Sequence, residues 1–150
     1  MKIIDYFESK NKQYWLQKIA ECDWSGGKFL HTLLSDGTFF DTVGEGSKLL
    51  LLTDCDNLLS FCTYAKMDDV QPTNLTPWVG FVYTFPQYRG NRLIAKLFDT
   101  IAVIAKAQGS DKAYISTNHT GLYEKYGCEY LTTMKDVHGE DTKVYVKNFR

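Results

Sequence analysis

Hydrophobic positions change their spacing several times along the chain, and each change predicts an element. Ile3 and Ile4 start a short strand. Between Ser9 and Glu21, Tyr14, Trp15 and Ile19 return at helical intervals until Trp24-Ser25-Gly26-Gly27 breaks the run. Phe29, Leu30, Leu33 and Leu34 recur with the same period up to Asp36-Gly37, so two helices are predicted near the N-terminus. Past Gly44 and Gly46 the pattern changes. Leu49–Thr53 and Leu58–Met67 are apolar runs around the turn Asp54-Cys55-Asp56-Asn57, which predicts an antiparallel hairpin. Polar Asp68–Leu75 reads as a loop, and Pro77–Phe85, rich in Trp, Val, Phe and Tyr, as a buried strand stopped by Pro86. From Gly90 to Gln108 the residues Leu93, Leu97, Ile101 and Ile104 form a stripe widened by Ile94, Phe98 and Ala105. Lys96, Asp99 and Lys106 lie off it, as in an amphipathic helix that Gln108-Gly109 ends. Lys112–Thr117 is a strand, Gly121–Tyr126 a short helix, and Cys128–Val137 with Thr142–Phe149 a closing hairpin. This order predicts an α/β chain of the mixed α+β kind, its sheet mostly antiparallel and flanked by helices, rather than a doubly wound parallel sheet.

Composition narrows the picture. A chain of 150 residues, 44% hydrophobic and 15% aromatic, suits one domain over residues 1–150 with its own core. No apolar run approaches the roughly 20 residues that span a bilayer. Met1–Lys18 contains Asp5 and Glu8 and lacks a signal-peptide core, so a cytoplasmic protein with no membrane partner is expected. Lys plus Arg total 17 against 18 Asp plus Glu, a formal net charge of −1 that argues against a nucleic-acid partner. Cys22, Cys55, Cys62 and Cys128 show neither CxxC pairing nor histidines at zinc spacing. They read as reduced, mostly buried thiols, with no metal expected.

The stretch from Trp78 to Leu93 carries the chemistry. A strand feeds through Phe85-Pro86-Gln87-Tyr88-Arg89-Gly90-Asn91-Arg92 into the long helix. The first amides of a helix have no partner within it, and the macrodipole places partial positive charge there, so such a turn suits an anion. Arg89 and Arg92 add donors for phosphate oxygens, and Gly90 lets the main chain approach a ligand closely.

This segment resembles motif A of the GNAT acetyltransferases, (Gln or Arg)-x-x-Gly-x-(Gly or Ala) after a strand and a proline. Gln87 and Gly90 match its first and fourth positions, and Arg92 stands at the sixth, where a small residue is usual. Ile115 to Cys128 resembles motif B, a strand leading to Leu-Tyr-Glu-Lys-x-Gly-Phe. Here Leu122 to Gly127 keep that core and Cys128 replaces the aromatic. The resemblance covers the chain from Leu49 onward. It implies a splayed sheet whose Pro77–Phe85 and Lys112–Thr117 strands diverge around acetyl-CoA, the acetyl donor. Pantetheine would pair with backbone at Val82, Tyr83 and Thr84, and the diphosphate would rest on the backbone amides of Arg89, Gly90, Asn91, Arg92 and Leu93, with Gln87 and Tyr88 beside them also binding the cofactor. Asn118 and Lys125 are further cofactor-binding candidates. Tyr123 matches the tyrosine that faces the CoA sulfur and can protonate it as it leaves.

The activity so implied is direct acetyl transfer to a primary amine of a small molecule or peptide, in a chain able to pair as a homodimer. A GNAT-fold module that senses acetyl-CoA without catalysis is the alternative. Many relatives carry a general-base glutamate on the motif A strand, whereas Val79-Gly80-Phe81 holds no acid. His119, Glu45, Asp68 and Asp69 are the substitutes, unless the amine arrives already neutral. Phe39, Phe40, Tyr64, Trp78 and Tyr83, with Asp41 and Glu45, are the expected acceptor-side residues.

Overall fold

Leu49, Leu50, Leu51 and Leu52 are all buried, although successive residues of a strand face opposite sides. A sheet covered on both faces explains the continuous run. A computed structural model of the chain describes residues 1–149 and shows that arrangement. The strands are β1 (Lys2–Asp5), β2 (Lys48–Asp54), β3 (Asn57–Ala65), β4 (Trp78–Thr84), β5 (Lys112–Thr117), β6 (Glu129–Lys135) and β7 (Asp141–Asn148). They form one seven-stranded sheet in the order β1-β2-β3-β4-β5-β7-β6. All neighbours are antiparallel except β4 and β5, which run parallel.

The helices are α1 (Lys12–Ala20), α2 (Ser25–Asp36), α3 (Phe39–Val43) and α4 (Leu93–Ala107). On one face, α4 lays Leu93, Leu97, Phe98, Ile101 and Ala105 against Leu50, Leu52 and Val79. On the other, α1 to α3 bring Trp15, Ile19, Leu30, Leu33, Phe39 and Val43 against Leu49, Leu51 and Phe61. Helix α2 ends at Gly37 with φ +72°, where the Gly37 amide donates to Leu34 and the Thr38 amide to Leu33. That left-handed stop suits a glycine. Helix α4 ends in the same way at Gly109, the Ser110 amide donating to Ala105.

Four local expectations need correction. The first helix starts at Lys12 rather than Ser9, because Ser9 and Asn11 close a small turn through the Ser9 hydroxyl. Helix α4 starts at Leu93 rather than Gly90, since Gly90 and Arg92 both adopt positive φ. The segment before Gly127 is a single 3₁₀ turn, Tyr123–Tyr126. Helix α3 has no counterpart in the sequence reading, and it places Phe39 in the core. Among the described residues, no helix is long and apolar enough to cross a membrane.

Candidate active site

Among the described residues, β4 and β5 pair as a ladder only near their starts. Trp78 is opposite Tyr114, and the Tyr114 amide donates to the Pro77 carbonyl at 2.9 Å. Trp78, fully buried, packs with Val70 and Val144 and fills that end. Further along, β4 turns away. Phe61 pairs with Tyr83 and Thr63 with Gly80, so β4 spends one residue more than β3 over that interval. This is a bulge, and within it Phe81 adopts φ +49°, a conformation uncommon for a non-glycine residue and concentrated at functional positions. No other β4–β5 pair follows among the described residues. The two strands therefore frame a cleft of about 1150 Å³, more than the roughly 300–1,000 Å³ of a drug-sized site.

At the far end of β4, Pro86–Tyr88 forms a 3₁₀ turn that leads to α4. Arg89 Nε donates to the Thr84 carbonyl at 2.9 Å, with the guanidinium 5.5 Å from the Tyr83 ring centre. Gly90 (φ +86°) and Arg92 (φ +54°) bend the chain so that successive amides converge, a concave arrangement that binds anions. Among the described residues, the amides of Gly90, Asn91, Arg92, Leu93 and Ile94 have no acceptor, and the first bond of the turn runs from Ala95 to Arg92. The Arg92 guanidinium points away from them. It donates to the Lys125 carbonyl at 3.1 Å and lies 4.8 Å from the Tyr126 ring centre. A left-handed cap at position 92 explains why small residues suit it, and Arg92 meets the strain by anchoring its side chain across the cleft mouth.

The Tyr123–Tyr126 turn is built by its own residues. Glu124 accepts the Gly121 amide at 3.1 Å and the Tyr145 hydroxyl at 3.2 Å. Gly127, at φ +82°, ends the turn, and Lys147 Nζ caps the Tyr126 carbonyl. Tyr123 is thereby turned into the cleft, only 5% exposed, and its hydroxyl donates to no described residue. Burial first, then the neighbouring Cys62, Cys128 and Asp68, pushes this phenol well above its ordinary value, so it stays protonated. Burial also raises the Cys62 thiol to about 12 and the Cys128 thiol to about 11. Neither has the thiolate character of a nucleophile. Cys22 is also buried and Cys55 exposed.

Of the sequence candidates, Val82, Tyr83, Thr84, Tyr88, Arg89, Gly90, Arg92, Leu93, Asn118 and Tyr123 line the cleft. Gln87, Asn91 and Lys125 lie outside its lining. The Asn91 amide group instead braces the turn by donating to the Tyr88 and Arg89 carbonyls. Among the base candidates, His119, Asp68 and Asp69 line the cleft and Glu45 does not. The acceptor-side expectation is corrected more sharply. Phe39, Phe40, Tyr64 and Trp78 belong to the packed clusters, and of that group Tyr83 alone reaches the cleft.

Asp23, Trp24, Phe29 and Phe81 line the cleft beside Tyr83. Trp24 stacks parallel to Tyr83 at 5.7 Å, and the Tyr83 hydroxyl donates to Asp23 Oδ1 at 2.9 Å. Phe29, 51% exposed, leans on Phe81 at 6.1 Å. The sequence carries no signal for these residues: Phe29 shares the spacing of Leu30, Leu33 and Leu34, and only the fold leaves it exposed. Asp68, Asp69 and Asp136 also reach the cleft, whereas Arg89 and Arg92 stand where β4 hands over to α4. Among the described residues, no cluster of His, Cys, Asp or Glu suits a metal ion.

No protein-family model and no curated protein sequence matches this chain. Solved structures do. An aminoglycoside 6'-N-acetyltransferase complexed with coenzyme A matches with TM-score 0.70 at 11% identity, over 100% of this chain and 98% of that one. The fold is that of the GNAT acetyltransferases. A GNAT-family acetyltransferase from Staphylococcus aureus matches with TM-score 0.65 at 16% identity, over 99% of both chains. A spermidine N-acetyltransferase mutant from Vibrio cholerae matches with TM-score 0.63 at 10% identity, over 98% of this chain and 92% of the other. Within this GNAT fold, the split strands and the Arg89–Ile94 turn border a single cleft.

Proposed function

We propose that the chain is an N-acetyltransferase that moves an acetyl group from acetyl-CoA to a primary amine of a small molecule. One observation carries the reading: the parted β4 and β5 strands open onto five unpartnered amides at the start of α4. A helix start alone is a common feature. A helix start at the mouth of a long cleft, beside an unpaired strand edge, suits a ligand with both an anionic diphosphate and an amide-bearing arm. The coenzyme A complex of a similarly folded aminoglycoside acetyltransferase supports the same ligand.

Residues Gly90 to Ile94 would hold the diphosphate through backbone amides, with Arg89 adding charge. The β4 edge at Val82–Thr84 would pair with pantetheine, and Asn118 lies across the cleft on the β5 side. Acetyl-CoA supplies an activated acyl thioester. A backbone amide near Val82 to Thr84 would stabilise the developing negative charge, an effect strongest where water is excluded. Tyr123 stays a hydrogen-bond donor at every pH near neutrality and delivers its hydrogen bond to the departing sulfur. The acceptor enters from the Trp24–Phe29–Phe81 wall, where Asp23, Asp68, Asp69 and Asp136 favour a cation with an apolar body. Polyamines and aminoglycosides, the substrates named for two proteins of the same fold, share that chemistry.

Thiol release from acetyl-CoA, measured against polyamines, aminoglycosides and short peptides, tests the proposal. Turnover with a polycationic amine is expected. Tight acetyl-CoA binding without turnover on any acceptor would instead support a sensor.

A further inference from the structure

An alkylammonium loses its proton near pH 10 and cannot attack a carbonyl carbon until it does. Strand β4 offers no acid for this, and its third residue is a glycine. Glycine inside a buried strand marks a close approach of something else. Here the neighbour is Asp68. A Cβ on Gly80 would collide with Asp68 Oδ1, lie 2.8 Å from its Cγ and 3.1 Å from Thr63 Oγ1. A carboxylate from the β3–β4 connection thus occupies the space that a side chain on β4 would fill.

We infer that Asp68, seated against Gly80 in the cleft, takes the proton from the acceptor's ammonium, a role that rests on the acetyl-transfer reading above. The connection that carries it is pinned. Val70 is buried between Trp78 and Val144, the Val137 amide donates to the Asp69 carbonyl at 2.7 Å, and the Thr76 hydroxyl donates to the Lys66 carbonyl at 2.7 Å. Gln71 Nε2 also donates to the Asp68 carbonyl at 2.8 Å. Among the described residues, Asp68 forms no salt bridge, so its carboxylate is not held by a structural cation. Thr63 Oγ1 borders the same space, fully buried and without a partner.

The surroundings suit the task. Burial first, then the charge of Asp69, raises the Asp68 carboxyl from 3.8 to about 7. Each pH unit is tenfold in equilibrium, so the uphill transfer from an ammonium improves about a thousandfold over an ordinary aspartate. The charged groups sharing the cleft are Asp69 beside it, Asp136 from the β6–β7 connection and Asp23 from the α1–α2 link. Tyr123 and His119 line the same cleft from the β5 side, and Arg89 and Arg92 from the α4 turn. In the step itself, one N–H bond of the ammonium breaks and its proton bonds to a carboxylate oxygen. The electron pair stays on nitrogen as the nucleophile, and the neutral acid later returns the proton to solvent.

Carbon-13 titration of the aspartate carboxyls, with the Asp68 signal assigned through Asp68→Asn, reads the group without any acceptor. A midpoint near pH 7 is expected, and one in the ordinary aspartate range near 4 overturns the inference. With an active amine, Asp68→Asn should lower kcat/KM about 10²–10⁴-fold and abolish the acid limb of its pH profile. Acetyl-CoA affinity by calorimetry should not change. Asp68→Ala combined with Gly80→Glu, which puts a carboxylate into the same space from β4, should recover part of the loss. A wild type that gives no heat with acetyl-CoA sinks the transfer reading itself. Binding intact, with Asp68→Asn as fast as wild type at every pH, sinks the role of Asp68 alone.

Discussion

The two ends of β4 perform opposite tasks within seven residues. At its start, Trp78 is fully buried, pairs with Tyr114 on β5 and donates its indole N–H to Leu75. Past the Phe81 bulge, the same strand faces β5 across open space, its edge released from pairing. The first end converts apolar side chains into stability, and the second gives up that gain and leaves backbone and ring faces open to the cleft. Stability and chemistry are separated along one strand, so substitutions at the two ends should fail differently.

The largest effect belongs to the closed end. Trp78→Ala removes the wedge that joins β4 to β5 and should cost about 3–5 kcal/mol of stability. Chemical denaturation checks this, and the cost should appear without selective loss of acetyl-CoA affinity in the protein that stays folded. At the open end, Tyr123→Phe should leave the denaturation midpoint nearly unchanged, because the hydroxyl bonds to no described residue. It should lower kcat about 10²-fold, equivalent to about 2.7 kcal/mol. Equal losses in both properties for either variant would blur the division.

A smaller effect sharpens it through pH. Asp68 holds its proton up to about pH 7 when folded but releases it near 3.8 when unfolded. The folded state then binds more protons than the unfolded state between those values, and stability falls as pH rises from about 4 to about 7. Asp68→Asn should flatten that fall and gain about 2 kcal/mol at pH 8, the effect being limited by the cleft water that screens the charge. A thermal-melt series over pH for both proteins measures it. The cleft would then trade stability for function at a single carboxylate.

How much of this the sequence disclosed depends on range. Strands β2 to β5 and helix α4 were legible because each carries enough apolar residues to show its period, and the Gly90 and Tyr123 segments because their local grammar is short and contiguous. Helix α3 was not, since five residues cannot establish a helical repeat. The Phe81 bulge leaves no mark in an unbroken apolar run. Asp68 against Gly80, and Trp24 against Tyr83, are contacts between distant segments, which periodicity does not report. Gly80 was nonetheless a visible signal: a glycine among bulky strand residues asks what lies beside it. The acceptor wall was misplaced for a related reason. Aromatic residues on β3 and α3 look like those on α2 until the fold decides which rings meet the core.

The account depends on coenzyme A lying between the parted strands with its diphosphate on the α4 turn. Amide NMR of the labelled protein during a coenzyme A titration examines that directly. Saturable shifts should concentrate at Gly90 to Ile94 and at Val82 to Thr84, with Trp78 and its partner Tyr114 unmoved. Shifts confined elsewhere, or none at all with the coenzyme in excess, would contradict it.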